Sequence, residues 1–491
     1  MRRKLLLYMM CLICRQGVVT ALRSNGFLRR KRSLSKIQMS SSHHDSGLVL
    51  PSYPNLTLKS VMAPMVAASD YPFRYFLQKH CGVDLTYTQM LHCKNFVTDP
   101  KFRLSHLDLW ETGVKYPELL PSQIGCLGEL PIPDGPSAPE EPLIVQLAGN
   151  DPVQVVEGAQ MIMEHTEGKV AGFDLNCGCP QAIARKGTYG AFLMEEDADK
   201  VCEILSALRN AMPSSTAVSA KIRLPTNDQE LKERIPKLLD SGIDFLTVHG
   251  RTIHENKTKV GACHVDRIRL AVELAHSYNA NFPVVANGGM ENYNDVQSIL
   301  ESTGAVAAMS SEALLENPEI FVDQEERTPR ERLQKQLAFA RDYLDVCATV
   351  APPLPGVLGL KKGGSFNVIR GHLFKFLYRY LNEHIDLRDR LAMERSLQTI
   401  DQAREIVDEL EARYLNLSDE ELLACQSTSP ESSWYRRHRK PDRRVHQKEV
   451  RVNSSLLGSN EELTIEQRKQ QIKARIEKMK ERKRSRNANT I

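Results

Sequence analysis

The most reactive residue types in this sequence are two cysteines separated by one glycine and followed by a proline. Cys177 and Cys179 stand in the segment Asn176-Cys-Gly-Cys-Pro180, at the end of an apolar run. Proline lacks the N–H that a strand ladder needs, so the segment predicts a strand that ends by presenting a thiol. The two cysteines would share one face of an extended strand, and this spacing alone does not choose between them. We take Cys179 as the reactive residue and Cys177 as a packing residue, since buried cysteine commonly behaves as a small hydrophobe.

A thiol at this position has two possible chemistries. A nucleophile needs a partnering base, and none is evident within the segment. A proton donor needs only to hold its proton, which an unperturbed thiol with a pKa of about 8.5 does at neutral pH. The residues alone leave both possibilities open.

Eight apolar, β-branched runs alternate with helical patterns between residues 60 and 312. This alternation over about 250 residues predicts an α/β fold, a (β/α)8 TIM barrel. An open doubly wound sheet is the alternative, but no G-x-G-x-x-G follows the first run. The predicted strands are Val61–Met65, Leu85–Met90, Leu143–Ala148, Gly172–Asn176, Val218–Leu224, Phe245–Gly250, Pro283–Asn287 and Ala305–Ser310.

Polar residues recur where these predicted strands end, which is the face where such barrels place their active sites. Asn287-Gly288-Gly289 and Ser310-Ser311 follow the last two strands, where backbone amides can hold a phosphomonoester such as the end of FMN. Lys221 can face the pyrimidine edge of a flavin and stabilise the reduced ring. Three roles remain open for His249: it could donate a hydrogen bond to the phosphate, donate a proton in the reaction, or have a structural role in the barrel.

Charge is distributed unevenly along the 491 residues. Residues 1–44 hold ten Lys/Arg and no acids, and residues 431–491 hold eighteen Lys/Arg against eight acids. The remainder has 37 basic and 53 acidic residues, so an acidic body carries two basic ends that would attract a polyanion. We divide the chain into a targeting or disordered basic segment (1–50), a barrel (58–325) with a proline-rich insertion (105–140), a helical domain (328–415) and a flexible basic tail (416–491).

The N-terminus resembles a targeting segment. Met1-Arg-Arg-Lys4 precedes the apolar run Leu5–Cys14, which is too short to span a bilayer, and an acid-free stretch rich in Arg and Ser follows. This pattern favours an organelle, mitochondrion or plastid, and a disordered cytosolic extension remains the alternative. The odd count of eleven cysteines indicates a reduced compartment, and the lone Cys11-Leu-Ile-Cys14 does not predict a metal site. We expect a monomer without membrane attachment in its mature form.

Taken together, these motifs resemble those of the tRNA-dihydrouridine synthases, flavoenzymes that reduce uridine in tRNA with NADPH. The pattern Asn-x-Gly-Cys-Pro, ten residues ahead of Tyr189-Gly-Ala-Phe-Leu193, is highly specific. Residues 58–322 resemble the family's barrel, and 328–415 resemble its helical tRNA-binding domain. Thr88–His92 and Arg370–Lys375 most resemble the eukaryotic branch that acts on tRNA positions 16 and 17. The other matching segments are Ala63-Pro-Met65, Gln146-Leu-Ala148, Asp174–Gly190, Lys221-Ile-Arg223, Val248–Thr252, Ala286-Asn-Gly288 and Asn317-Pro318.

The resemblance implies roles for individual residues. Uracil C6 would receive a hydride from reduced FMN, Cys179 would protonate C5, and Asn176 would hold the uracil edge. NADPH or NADH would reduce the flavin transiently. The residues implied or predicted for FMN are Ala63, Pro64, Met65, Gln146, Lys221, His249, Asn287, Gly288, Gly289, Ser310 and Ser311. The candidates for tRNA contact are Arg223, Arg251, Arg370, His372 and Lys375, and either of the first two could instead pair structurally with the acidic body.

One departure and two alternatives remain. Bacterial members carry Gly-Arg where this chain has Ser311-Glu312, so the phosphate would rely on backbone amides or another base. An FMN barrel enzyme acting on a free pyrimidine is the first alternative, against which the basic ends and the helical domain count. A tRNA-binding scaffold without activity is the second, and the joint presence of Cys179, Lys221 and His249 speaks against it.

Overall fold

The structure is a computed structural model, and it describes residues 47–100, 102, 142–256, 259–324, 326–349, 364–393, 399–425 and 433–437. The predicted N-terminal segment up to residue 46, the 105–140 insertion and most of the basic tail lie outside the described residues.

In the described ranges, nine parallel strands form one sheet that closes on itself. Their order is β3-β11-β10-β9-β8-β7-β6-β4, with β5 beside β6. A parallel bridge between Val61 and Leu85 joins β3 to β4 and completes the ring, which confirms the predicted TIM barrel. The strands are β3 (Ser60–Met62), β4 (Thr86–Tyr87), β5 (Leu91–His92), β6 (Leu143–Ala148), β7 (Gly172–Cys177), β8 (Ala217–Arg223), β9 (Phe245–His249), β10 (Val284–Asn287) and β11 (Ala307–Ser310).

The predicted strand Leu85–Met90 differs from the structure, because it is divided into β4 and β5. The backbone N–H of Gln146 donates to the Thr88 side-chain oxygen at 3.1 Å instead of to a backbone carbonyl. The Thr88 hydroxyl in turn donates to the Gln89 carbonyl at 2.8 Å. A side chain therefore replaces one step of the ladder, and the chain bends before pairing again at Leu91.

An antiparallel hairpin closes the amino-terminal end of the barrel. It consists of β1 (Leu48–Leu50) and β2 (Tyr53–Leu58). Leu48 and Leu58 are fully buried in a cluster with residues at the starts of the barrel strands, such as Phe245. The open end is therefore the one at which the strands terminate, where the polar residues were predicted.

Helices cover the outside of the barrel between the strands. Their first turns are capped by side chains that accept from backbone N–H groups, as Asp197, Asn227 and Asn292 do at 2.9–3.0 Å. Apolar residues at helical spacing face the sheet. The helices are α1 (Tyr71–His80), α2 (Cys93–Thr98), α3 (Pro152–His165), α4 (Ala182–Lys186), α5 (Ala191–Glu196), α6 (Ala198–Ala211), α7 (Asp228–Asp240), α8 (Val265–Tyr278), α9 (Tyr293–Thr303) and α10 (Glu312–Glu316).

A second helical region follows and shares its core with the barrel. Phe73 and Phe76 of α1 pack against Tyr343 and Phe376 of this region, with ring centroids 6.0–6.3 Å apart. The helices are α11 (Pro329–Thr349), α12 (Gly364–Phe376), α13 (Tyr378–Leu381), α14 (Ile385–Ala392), α15 (Ile400–Tyr414) and α16 (Asp419–Cys425). No helix in the described ranges is long and apolar enough to cross a membrane.

The predicted flexible tail from residue 416 differs from the structure at two places. Asp419–Cys425 forms α16, and Leu422 within it is fully buried. Ser433–Arg437 forms a turn that packs on the folded body through Tyr435, which is 7% exposed. These stretches carry apolar residues that the high charge of the surrounding sequence concealed.

Candidate active site

The strand register brings most of the predicted site residues side by side. Gln146 on β6 is opposite Asp174 on β7, and Asn176 is opposite Lys221 on β8. His249 on β9 is opposite both Arg223 on β8 and Asn287 on β10. Seven positions on five neighbouring strands therefore line one rim of the barrel.

A chain of hydrogen bonds connects a buried carboxylate to the cysteine loop. Asp174 accepts from Gln146 Nε2 and from Ser219 Oγ, both at 2.8 Å. Gln146 Oε1 accepts from Asn176 Nδ2 at 2.8 Å, and Asn176 Oδ1 accepts from the Cys179 N–H at 2.9 Å. Because an ionised carboxylate can only accept, it determines which end of each amide faces its neighbour. Asp174 thus sets the orientation of Asn176 and, through it, of the loop.

The two cysteines diverge where β7 ends. Cys177 is 2% exposed and belongs to the main core, whereas Cys179 is half-buried beside Met90 and Tyr189. Gly190 comes so close that a Cβ on it would lie 3.1 Å from Cys179 Cβ, and its φ of +65° favours glycine. The placement agrees with Cys177 as a packing residue and Cys179 as the accessible thiol.

Opposing influences act on the Cys179 thiol. Burial raises its pKa, while the positive charges of Arg223 and Lys221 lower it. The net direction is upward, so the thiol keeps its proton at neutral pH, and the nearby cations would stabilise the thiolate left after proton transfer. A thiol that holds its proton favours the acid over the nucleophile, the two chemistries that the sequence leaves open.

Arg223 contacts the backbone of the cysteine loop. Its Nε donates to the Gly178 carbonyl at 2.8 Å and its Nη1 to the Thr252 carbonyl at 3.0 Å. Burial and the neighbouring Arg251 lower the pKa of this guanidinium to about 10. Arg223 consequently supports the loop that carries Cys179, whatever else it contacts.

Lys221 and Asp174 lie on neighbouring strands and have opposite charges, with Asp174 fully buried and Lys221 half-buried. Burial and Arg223 lower the pKa of Lys221, and burial raises the pKa of Asp174. Arg223 lowers the pKa of Lys221, while the negative charges of Asp174 and Cys179 raise it, so these three groups are its electrostatic neighbours. A cation there suits the electron-rich pyrimidine edge of a reduced flavin.

The turn after β10 fits a phosphate. Gly288 and Gly289 have φ of +98° and +84°, which side-chain-bearing residues rarely adopt. A Cβ on Gly288 would lie 2.9 Å from His249 Cδ2 and 3.2 Å from Arg251 Nη1, so two basic side chains pack against bare backbone. Such a backbone turn with basic neighbours is a suitable site for the phosphate of FMN.

Other predicted cofactor residues have clear structural tasks. Asn287 is 2% exposed and its Nδ2 donates to the Met309 carbonyl at 2.7 Å, which ties β10 to β11. The Ala63 N–H donates to the Ser310 carbonyl at 2.8 Å, and both residues are buried. Pro64, Met65 and Ser311 are half-buried at the rim. The Met65 N–H donates to Ser69 Oγ at 2.8 Å, which fixes the loop after β3.

The three candidates on α12 belong to the helical region and not to the barrel strands. His372 is fully buried, stacks on Phe73 at 4.1 Å and is hydrogen-bonded to Asp70 Oδ1 at 3.0 Å. Arg370 is 9% exposed. The complete burial of His372 gives it a packing role between α12 and α1 and argues against direct contact of this side chain with a nucleic acid. Lys375 is half-buried, and its Nζ donates to the Gly371 carbonyl at 2.8 Å.

Sequence reasoning missed Asp174 and Ser219 as parts of the site. A charged residue inside the apolar run Gly172–Cys177 was the available signal for Asp174. Ser219 gave no such signal, since only the register of β7 with β8 reveals its partner. In the described part of the chain, no three His, Cys, Asp or Glu side chains cluster closely enough to hold a metal ion.

Comparison with known proteins places this geometry in one family. Residues 61–412 match the family described as Dihydrouridine synthase (Dus). The chain is 32% identical over 348 residues to a tRNA-dihydrouridine(16/17) synthase-like protein of Mus musculus, which covers 70% of this chain and 60% of the relative. It is 30% identical over 332 residues to the tRNA-dihydrouridine(16/17) synthase of Saccharomyces cerevisiae, 68% of each chain. A tRNA-dihydrouridine(20a/20b) synthase-like protein of Homo sapiens is 30% identical over 297 residues, 60% of this chain and 78% of the relative.

The match therefore leaves about 40% of the mouse relative's length outside the aligned region. Residues 61–412, which match the family, contain the barrel, the cysteine loop and the helical region as far as α15. The chain belongs to the dihydrouridine synthase family.

Proposed function

We propose that this protein reduces uridine to 5,6-dihydrouridine in tRNA, with FMN as bound coenzyme and NAD(P)H as reductant. The observation that carries the proposal is the half-buried Cys179 thiol, whose pKa is raised by burial, on a loop oriented by Asn176. A thiol acid on the same rim of the barrel as a glycine turn and the half-buried Lys221 suits reduction of a carbon–carbon double bond. The names of the relatives support NAD(P) as the nicotinamide coenzyme.

The reaction adds one hydride and one proton across C5=C6 of uracil. When bound, reduced FMN supplies the hydride to C6. Cys179 Sγ–H donates the proton to C5, and the thiolate recovers a proton from water. Asn176, whose Oδ1 is occupied by backbone N–H groups, presents its remaining donor capacity toward the uracil edge. The base has to leave its stack to reach this rim, as enzymes that modify bases require.

We propose that the phosphate of FMN binds at the Gly288–Gly289 turn with His249 and Arg251 as its basic neighbours. Arg251 would then supply the basic side chain for the phosphate, because this chain has Ser311-Glu312 where bacterial members have Gly-Arg. Its Nη1 lies 3.3 Å from His249 Nε2, and its Nε donates to the Gly261 carbonyl at 3.0 Å. Both contacts hold the guanidinium against the turn.

We propose positions 16 and 17 of the D-loop as the targets. Support comes from the names of the mouse and yeast relatives, at 32% and 30% identity. The experiment combines purified, FMN-loaded protein, NADPH and a tRNA that lacks dihydrouridine, with mass mapping of the product. A gain of two mass units at positions 16 and 17 is expected. Turnover of free pyrimidine without turnover of tRNA would overturn the proposal, and a colourless protein that takes up no FMN would favour the scaffold alternative.

We also propose that the mature protein is a monomer without membrane attachment, located in a mitochondrion or plastid. The acid-free, Arg- and Ser-rich first 44 residues support the location. A reporter carrying residues 1–45 should enter an organelle, and a diffuse cytosolic signal would contradict this.

The proposed monomer is tested separately. Light scattering on the full chain should give a mass near 55.4 kDa, the mass of one copy.

A further inference from the structure

The turn Ser433–Arg437, hereafter the C-terminal anchor, lies beyond the region that matches the family and returns to the folded body. Ser433 Oγ donates to Glu316 Oε2 at 2.7 Å, and the Tyr435 N–H donates to the same oxygen at 3.0 Å. Tyr435 is 7% exposed within the main core. A carboxylate with two donors and a buried ring fix this segment firmly.

The anchor is attached to the barrel on the side of the predicted phosphate turn. Glu316 ends α10, the helix that follows β11 and Ser311. Arg436 Nε donates to Glu291 Oε2 at 2.5 Å, and Glu291 comes two residues after Gly289. The anchor therefore starts from the rim of the active site.

From there the anchor reaches the helical region through Trp434. The ring centroid of Trp434 lies 5.6 Å from that of Tyr378 and 5.5 Å from Lys375 Nζ. The guanidinium carbon of Arg437 lies 3.2 Å from the same centroid. One indole ring thus holds two cationic side chains from distant parts of the chain.

These two cations repel each other, and their surroundings are partly buried. Burial and Arg437 lower the pKa of Lys375 to about 8, although Asp70 and Glu312 raise it. An anion close to both side chains would offset this repulsion and favour the charged lysine. The chain continues from Arg437 with sixteen Lys/Arg against seven acids in residues 438–491, so positive charge of the sequence is concentrated after this point.

We propose that Lys375, Trp434 and Arg437 form a binding site for the phosphodiester backbone of tRNA, which exists only when the C-terminal anchor is docked. The inference rests on the proposed function for the identity of the RNA. The anchor also makes the basic residues 438–491 start beside this site. Deletion of residues 438–491 and loss of the docked anchor should therefore weaken the same contact with the tRNA backbone.

The test measures binding of a tRNA transcript to the FMN-loaded full chain over a series of salt concentrations. Lys375→Gln and Arg437→Gln should each reduce the salt slope by about one and weaken binding. Trp434→Ala should weaken it more, and deletion of 438–491 should cost less affinity in Trp434→Ala than in the wild type. Tyr278→Ala and Arg269→Gln alter exposed residues of α8 and serve as matched controls.

Unchanged slopes in both charge variants would overturn the proposal, as would full additivity of Trp434→Ala with the deletion. FMN content and melting temperature identify any variant that fails to fold. If Trp434→Ala fails to fold, the salt slopes of Lys375→Gln and Arg437→Gln still decide the test. Binding is measured without turnover. A protein that binds tRNA in this way but forms no dihydrouridine would refute the proposed function and leave this site standing.

Discussion

At the residue scale, the side chains around Cys179 are ordered by a single buried carboxylate. Asp174 accepts hydrogen bonds from Gln146 and Ser219, and the oriented amide of Gln146 in turn accepts from Asn176 and fixes its orientation. The polar residues at the strand ends could be predicted from the sequence, because barrel strands end at one face. The bonds between them could not, because they depend on the register of β6, β7 and β8.

Replacing Asp174 with Asn tests this ordering. The new amide donates where the carboxylate accepted, so one partner loses its acceptor, and we expect a loss of about 1–3 kcal/mol in unfolding free energy. Product formation should fall about tenfold through misorientation of Asn176. Asp84→Asn is the matched control, since Asp84 Oδ2 accepts from the N–H groups of Lys59 and Ser60 at 2.8 and 2.9 Å at the other end of the barrel. Single-turnover or steady-state kinetics give kcat, and chemical denaturation gives the unfolding free energy of each variant. Equal losses of kcat in both variants would contradict a positioning role for Asp174.

The pKa of Lys221 predicts a limit at alkaline pH. Burial and Arg223 lower this pKa, so the cation present at neutral pH is lost at a lower pH than for a free lysine. Flavin reoxidation by tRNA should therefore decline as pH rises through that value, with Asp174 and Cys179 as the other titrating neighbours. Lys221→Arg keeps the charge, and its decline should move to higher pH. An identical profile in wild type and variant would exclude Lys221 as the group responsible.

At the scale of elements, the turn after β10 is the proposed phosphate site. The Gly-Gly pair after a predicted strand was readable in the sequence, since positive φ favours glycine. The closeness of His249 and Arg251 to that turn was not, because it requires β9 and β10 to be neighbours. The division of β4 from β5 was likewise hidden, since it depends on one contact of the Thr88 side chain.

Gly288→Ala should abolish tight FMN binding. The added Cβ would lie 2.9 Å from His249 Cδ2 and displace a basic side chain from the turn. Gly304→Ala is the matched control, because Gly304 has φ +70° but its Cβ would meet only Val272 Cγ1, at 3.8 Å. Both variants should lose about 1–2 kcal/mol of stability from the backbone conformation, and only Gly288→Ala should lose FMN affinity. Flavin fluorescence titration with thermal melting measures both, and equal FMN affinities would contradict the assignment of the turn.

At the scale of the whole molecule, the helical region and the barrel form one continuous core. The contacts of α12 with α1 hold them together through Phe73, Asp70 and His372. The uneven charge of body and ends was visible in the sequence. The C-terminal anchor was not, because Trp434 and Tyr435 stand in a stretch whose composition indicates a solvated tail.

His372→Ala should therefore act on stability rather than on tRNA recognition. It removes a stacked ring and leaves Asp70 without this partner, at a cost of about 2 kcal/mol. The melting temperature should fall, while tRNA affinity of the folded protein stays unchanged. A lowered tRNA affinity with an unchanged melting temperature would restore His372 as a nucleic-acid contact.

The central claim is that the Cys179 thiol protonates a uridine of tRNA. The most direct measurement mixes FMN-loaded protein, reduced beforehand with NADPH, with a tRNA lacking dihydrouridine, and quantifies dihydrouridine by mass spectrometry in one turnover. Cys179→Ala should retain FMN and tRNA binding but form product at least about a hundredfold more slowly, in the range typical of lost acid catalysis. Cys177→Ala, the matched control in the core, should form product at nearly the wild-type rate. Rapid product formation by Cys179→Ala, or its loss in Cys177→Ala alone, would contradict the account.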